Sequence, residues 1–135
     1  MTKLLRMLVA LAVSVMMGVA PAFAIAEPTS LGIYQTHERD MDYELSLCGD
    51  GSQLCVRLLA ARGKALTDKS IPYIGKLIVD RANASGVDRW EGAVTIRGYT
   101  VYGSLTLDRG KRLYLHGCLY FVLCADIDLV AANKK

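Results

Sequence analysis

The chain has 135 residues, a formal net charge of +3, 53% hydrophobic and 21% charged residues. That length bounds it to one domain with a modest core. Lys and Arg are interspersed with acids instead of clustered, which leaves no electrostatic case for nucleic acid.

The first 24 residues read as a signal peptide helix. Lys3 and Arg6 form a positive start, and an uncharged run rich in Leu, Val, Ala and Met follows from Met7 to Ala20. Small residues then frame Ala22-Phe23-Ala24, which fits cleavage after Ala24; Ala24-Ile25-Ala26 fits the same rule, giving Ala26 as the alternative. The rival is an uncleaved anchor, since Met7 to Ala26 carries no charge and can cross about 30 Å as a helix. Pro21 interrupts that stretch, and no basic residue follows to stop transfer. The expectation is export to the periplasm or outside the cell, with no stable membrane anchor after cleavage. Two of the three net positive charges belong to Lys3 and Arg6, so the 25–135 domain is close to neutral.

From residue 31 onward, short alternating runs broken by turn residues predict strands. The first extended segment is 31–36. Tyr43, Leu45 and Leu47 alternate with Glu44, Ser46 and Cys48, and Gly49-Asp50-Gly51-Ser52 turns the chain into Leu54, Val56 and Leu58. Arg62 to Pro72 reads as the longest loop, with a short helical turn. Segments 73–81 and 89–96 read as extended, with Asn83-Ala84-Ser85-Gly86 and Arg97-Gly98 as turns. Tyr99, Val101, Gly103, Leu105 and Leu107 then share one face. After Asp108-Arg109-Gly110-Lys111, Leu113 and Leu115 oppose Tyr114 and His116; finally Leu123, Ala125, Ile127 and Leu129 oppose Cys124, Asp126 and Asp128. About eight short strands suggest an all-β sandwich or a small antiparallel up-and-down barrel. Tight connections in sequence order favour the barrel, whose interior either fills with side chains or holds one small ligand.

Cys48 with Cys55, and Cys118 with Cys124, each flank a short connection. Alternation puts all four on the polar faces of their strands, so two local disulfides outside the barrel are preferred over the two other pairings. The competing zinc site from His116, Cys118 and Cys124 lacks the usual ligand spacing, and a redox pair lacks Cys-x-x-Cys. His37 and His116 default to surface positions. Asp80, Asp88 and Glu91 suggest a carboxylate cluster at a rim, and Trp90 a core plug or rim anchor. Neither a Gly-x-Ser-x-Gly elbow nor a phosphate-binding glycine pattern occurs, so no catalytic residue, metal site or cofactor is expected.

The run from Tyr43 to Val130 resembles the bacterial family called domain of unknown function 2147. The resemblance is carried by Leu47-Cys48-Gly49 with Leu54-Cys55, by Trp90-Glu91-Gly92, and by Leu115-His116-Gly117-Cys118 leading to Leu123-Cys124. It implies an exported, lipocalin-like small β-barrel and brings no catalytic residues. Such barrels often open with Gly-x-Trp, where this chain has Gly32-Ile33-Tyr34, and often close with Trp-x-Arg, which is missing here.

Two functions follow as expectations. A periplasmic binding barrel would hold a small apolar ligand against Tyr99, Val101, Leu105, Leu113 and Ile127. An envelope structural or protein-interaction module would instead use an exposed aromatic patch, around Tyr102, Tyr114 and Tyr120, to hold an envelope protein. An enzyme ranks last.

Overall fold

The structure is a computed structural model and describes residues 18–19, 27–96, 98–120 and 122–132. The leader and both cleavage alternatives lie outside the described residues, Gly18 and Val19 excepted. The described chain is all-β: β1 (Thr29–Gln35), β2 (Met41–Cys48), β3 (Gln53–Ala61), β4 (Leu77–Gly86), β5 (Arg89–Ile96), β6 (Tyr99–Asp108), β7 (Arg112–Leu119) and β8 (Leu123–Ala131). They form a closed barrel in sequence order, every neighbouring pair antiparallel. Short 3-10 turns at Gly63–Ala65 and Ile71–Tyr73 shape the long connection between β3 and β4.

Period-2 alternation sends the apolar set inward. Tyr34, Leu45, Leu54, Val56, Val79, Trp90, Val94, Leu105, Leu113 and Leu129 belong to one buried cluster. Two irregularities reset the alternation. In β1 the register shifts between Ser30 and Gly32, where Gly32 has φ +120°, so Leu31 and Tyr34 both reach the core although they are three residues apart. In β4 the ladder shifts between Val79 and Asn83 around Arg81, whose φ is 55°, and Val79 and Ala82 both point inward.

That second bulge also corrects the boundaries read from sequence. Tyr73 lies in a 3-10 turn, and β4 begins only at Leu77. Asn83-Ala84-Ser85-Gly86 is not a turn but the end of β4, paired with the start of β5. Their polar side chains suit the outer face of a strand as well as they suit a turn, which is why composition misled. The reversal falls at Val87-Asp88, with Asp88 at φ 52°, a conformation Asp tolerates.

A row of small residues crosses four strands: Gly92 pairs with Gly103, Gly103 with Gly117, and Gly117 with Ala125. A Cβ on Gly103 would stand 2.5 Å from His116 O and 3.0 Å from Gly117 Cα. The row lets the sheet coil tightly enough for a short chain to close.

Polar ties hold the rims. Trp90, expected as a core plug or rim anchor, lies 5% exposed in the core cluster and donates its Nε1–H to Ser52 O at 2.8 Å, pinning the β2–β3 turn. Tyr34 is 1% exposed and donates its hydroxyl to Gly110 O at 2.7 Å, in the β6–β7 turn; burial raises its phenol above the usual value. Arg62 donates both guanidinium NH2 groups to the Asp42 carboxylate, each at 2.8 Å.

Two outcomes follow. Gly103→Ala must push β6 and β7 apart, so it should lower stability by about 1–3 kcal/mol in urea denaturation. The Arg62 hydrogen bonds, helped by the Gln35 amide, hold the Asp42 carboxyl below the usual range. A depressed folded-state pKa gives stability that is complete above the unfolded value and lost as pH falls through the folded one. Arg62→Met should therefore flatten the acid limb of the stability–pH curve and leave stability near pH 2 unchanged.

Candidate functional site

The outer surface of β6–β8 carries the chemistry. Alternation there places Ser104 and Thr106 of β6, Tyr114, His116 and Cys118 of β7, and Cys124, Asp126 and Asp128 of β8 on one face. Register lines them up in rows: Thr106, Tyr114 and Asp128; Ser104, His116 and Asp126; Tyr102, Cys118 and Cys124. A recess of about 200 Å³ is lined by Ser104, Thr106, Tyr114, His116, Asp126 and Asp128, among others.

Within the middle row, His116 Nδ1 lies 2.6 Å from Asp126 Oδ1. A carboxylate only accepts, so Nδ1 carries a proton, and in the neutral imidazole Nε2 is the acceptor nitrogen. Nε2 faces Cys118 Sγ at 3.8 Å. Cys118 and Cys124 form a cross-strand disulfide between directly registered residues, their Cα atoms 4.0 Å apart. Asp128 Oδ2 meets His37 Nε2 at 3.3 Å and Arg112 Nη1 at 3.7 Å, while its Oδ1 is buried without a hydrogen-bond partner among the described residues.

The second bridge, Cys48–Cys55, confirms the pairing read from the sequence. It contrasts with the first. Cys48 and Cys55 are buried at 8% and 5% exposure, although alternation turns them outward. Cys118 is half-buried and Cys124 exposed. His116, Cys118 and Cys124 do converge, their ligand atoms within 4.8 Å, and are the one such group among the described residues. Two of the three are joined as a disulfide, however, and offer no thiolate to a metal. Asp80 pairs with neighbouring Arg81 instead, at 3.1 Å, and no group of Asp80, Asp88 and Glu91 forms among the described residues.

The edge of β8 is equally specific. β1 pairs with it only at Tyr34↔Ala131 and Gln35↔Val130. The β7–β8 ladder, by contrast, runs without a bulge from Arg112↔Val130 to Leu119↔Leu123. Ala132 N–H donates across the seam to Ile33 O, and Ala131 N–H to Lys111 O on the β7 side. Successive peptide groups alternate between the two edges of a strand, so those of Cys124 and Asp126 face away from β7. No described strand is registered beside them. At the tip of the same hairpin, Tyr120, Val122 and Leu123 are 83%, 81% and 69% exposed.

The residues expected to line a ligand cavity do not come together as one wall. Leu105 and Leu113 are fully buried in the packed core cluster, and Val101 and Ile127 pack against it. Tyr99 is exposed and borders an open hollow of about 420 Å³ with Lys69, Pro72, Tyr73 and Gly98. Of the tyrosines expected to form a patch, Tyr102, Tyr114 and Tyr120 are all exposed. The reading of single residues missed the His116–Asp126 pair. Aligning 113–119 against 123–129 across a three-residue turn would have found it, because that register places the two opposite each other. No family model, curated protein or solved structure matches the chain.

Leu105→Ala tests whether the interior is filled. A packed side chain costs about 2–5 kcal/mol on truncation to Ala, measured by urea denaturation. A residue facing an open ligand cavity would cost far less.

Proposed function

We propose that this chain is an exported protein-interaction module that takes up an extended segment of another polypeptide along the free edge of β8. The observation that carries the reading is the seam: two registered pairs with β1, then edge-facing peptide groups at Cys124 and Asp126 with no described strand beside them. An open edge is a template for strand addition, in which main-chain hydrogen bonds supply affinity and alternate side chains supply specificity. The free part of the edge, residues 123–127, carries no Lys, Arg or Pro of the kind that blunts such templates, and a single charge, Asp126. The exposed tip residues Tyr120, Val122 and Leu123 add apolar contact where the segment would begin. Export through the leader and kinship with the resembled family belong to the same proposal. The filled interior around Leu105 and Leu113 favours this outer surface over a small ligand held inside.

A reduced and alkylated unfolded polypeptide serves as the probe. In amide hydrogen exchange, the Cys124 and Asp126 N–H groups should exchange fast in the protein alone and slowly with the probe bound. Asp126→Pro removes one edge-facing donor and spares the β7 ladder, so affinity should fall about tenfold with little change in Tm. Ala125→Pro removes a donor on the β7 side and should lower Tm instead. Equal affinity of Asp126→Pro and the parent protein, or a small molecule retained in native mass spectrometry, would overturn the reading.

A further inference from the structure

The two disulfides close loops of similar length and differ in setting. Cys48–Cys55 is buried. Cys118–Cys124 lies on the open face, with Cys124 exposed and His116 Nε2 3.8 Å from Cys118 Sγ. His116 is itself held by Asp126 through Nδ1 at 2.6 Å. From this geometry we infer that Cys118–Cys124 is a thiol–disulfide exchange site that oxidises free thiols, with His116 and Asp126 as its positioning residues.

Exchange begins when a thiolate attacks one sulfur in line with the bond and displaces the other. Exposure makes Cys124 the sulfur attacked, and Cys118 the one that leaves. The incoming thiol R–SH loses its proton to water as its thiolate attacks, and His116 Nε2, which lies beside the leaving Cys118 sulfur, takes up a proton from that water. A bond forms between the R sulfur and Cys124 Sγ, and the Cys124–Cys118 bond breaks. The Cys118 thiolate then sits beside a His116 imidazolium, an arrangement that stabilises a thiolate. A second thiol, R′–SH, attacks the R sulfur; R–S–S–R′ forms, and Cys124 departs as a thiol with that proton. Two thiols are oxidised and one protein disulfide is reduced, so no other oxidant enters.

Nothing at Cys48–Cys55 matches this setting. Both sulfurs there belong to buried residues, and no His or carboxylate group is gathered around them among the described residues. The chemistry does not require strand addition, because a small thiol reaches Cys124 directly. A failure of the β8-edge reading therefore leaves this inference standing, and the converse also holds.

The probe is reduced glutathione, added to the oxidised full-length protein, quenched with iodoacetamide at intervals and mapped by peptide mass spectrometry. The expected record is an early glutathione adduct on Cys124, then alkylation of Cys118 and Cys124, while Cys48–Cys55 stays intact. His116→Gln should slow adduct formation by about tenfold or more, and Asp126→Asn by less, both with an unchanged circular dichroism spectrum. Simultaneous opening of both bridges, a first adduct on any cysteine other than Cys124, or a His116→Gln rate equal to the parent would overturn the inference. The adduct position is read on the unsubstituted protein, so the test survives even if a variant does not fold.

Discussion

The closing seam between β1 and β8 sets the terms for the rest of the molecule. A barrel closes only if its strands tilt and its register staggers around the circumference. Here that stagger sets Tyr34 opposite Ala131 near the C-terminal end of β8, and the β7–β8 hairpin runs on past β1. The seam is short in backbone pairs and reinforced by side chains. Tyr34 reaches from the core to Gly110 O, and His37 in the β1–β2 turn meets Asp128. The overhanging edge is thus a consequence of closure and not a defect in it. The residues with exposed chemistry, from Cys118 to Asp126, sit on that overhang.

The same closure explains the interior. A barrel built from strands of seven to ten residues has little length to spare, so its walls must approach closely. The row from Gly92 through Gly103 and Gly117 to Ala125 keeps side chains small where neighbouring strands press together, and Leu105, Leu113, Val94 and Leu45 fill the interior. Native interiors pack to near-crystalline density. A chain that spends its apolar residues this way keeps its adaptable surface outside. Cys48–Cys55 fits the structural half of that division: it closes a short loop, which by chain-entropy reasoning contributes about 2–3 kcal/mol, and it is shielded from reagents. Cys118–Cys124 closes a loop of similar length and so stabilises comparably, but on a face where it meets solvent and a histidine.

Much of this was legible in the sequence, and the reasons differ by element. In β6, β7 and β8 the alternation is regular and Asp108-Arg109-Gly110-Lys111 marks the turn between the first two, so strand and face could be read, although residues 120–122 between β7 and β8 include neither Gly nor Asp. The disulfide pairing followed from the same alternation. β4 was legible only in outline, because a bulge at Arg81 breaks the period and its polar end imitates a turn. The seam was not legible at all. Closure register depends on the summed stagger of eight strands, including the bulges at Gly32 and Arg81, and no local pattern encodes a sum. The His116–Asp126 pair fell between these cases: each residue looked like isolated surface until hairpin register put them side by side. The cavity residues illustrate the opposite difficulty. Alternation named Leu105 and Leu113 as inward-facing, yet direction alone cannot distinguish a wall from a filling.

Asp126 is where the two proposals meet, because its two halves face different tasks. Its peptide group points to the free edge, and its carboxylate turns to His116 on the outer face. A strand added along that edge would bring alternate side chains onto the same face. Opposed residues in antiparallel pairs have Cβ atoms about 4.5–5.5 Å apart. A cysteine in an added strand, opposite Cys124, would sit in a hydrogen-bonded pair at the wide end of that range, beyond the roughly 3.5–4.5 Å Cβ spacing of a disulfide, and would exchange after a small local shift of the added strand. Strand addition would then select partners by backbone geometry, and exchange would act only on those that place a thiol in this one register. A free thiol in solution meets no such filter. On the two proposals together, the overhang that lies beside no described strand would supply both a docking edge and a register, and register would turn an exposed disulfide into a selective one.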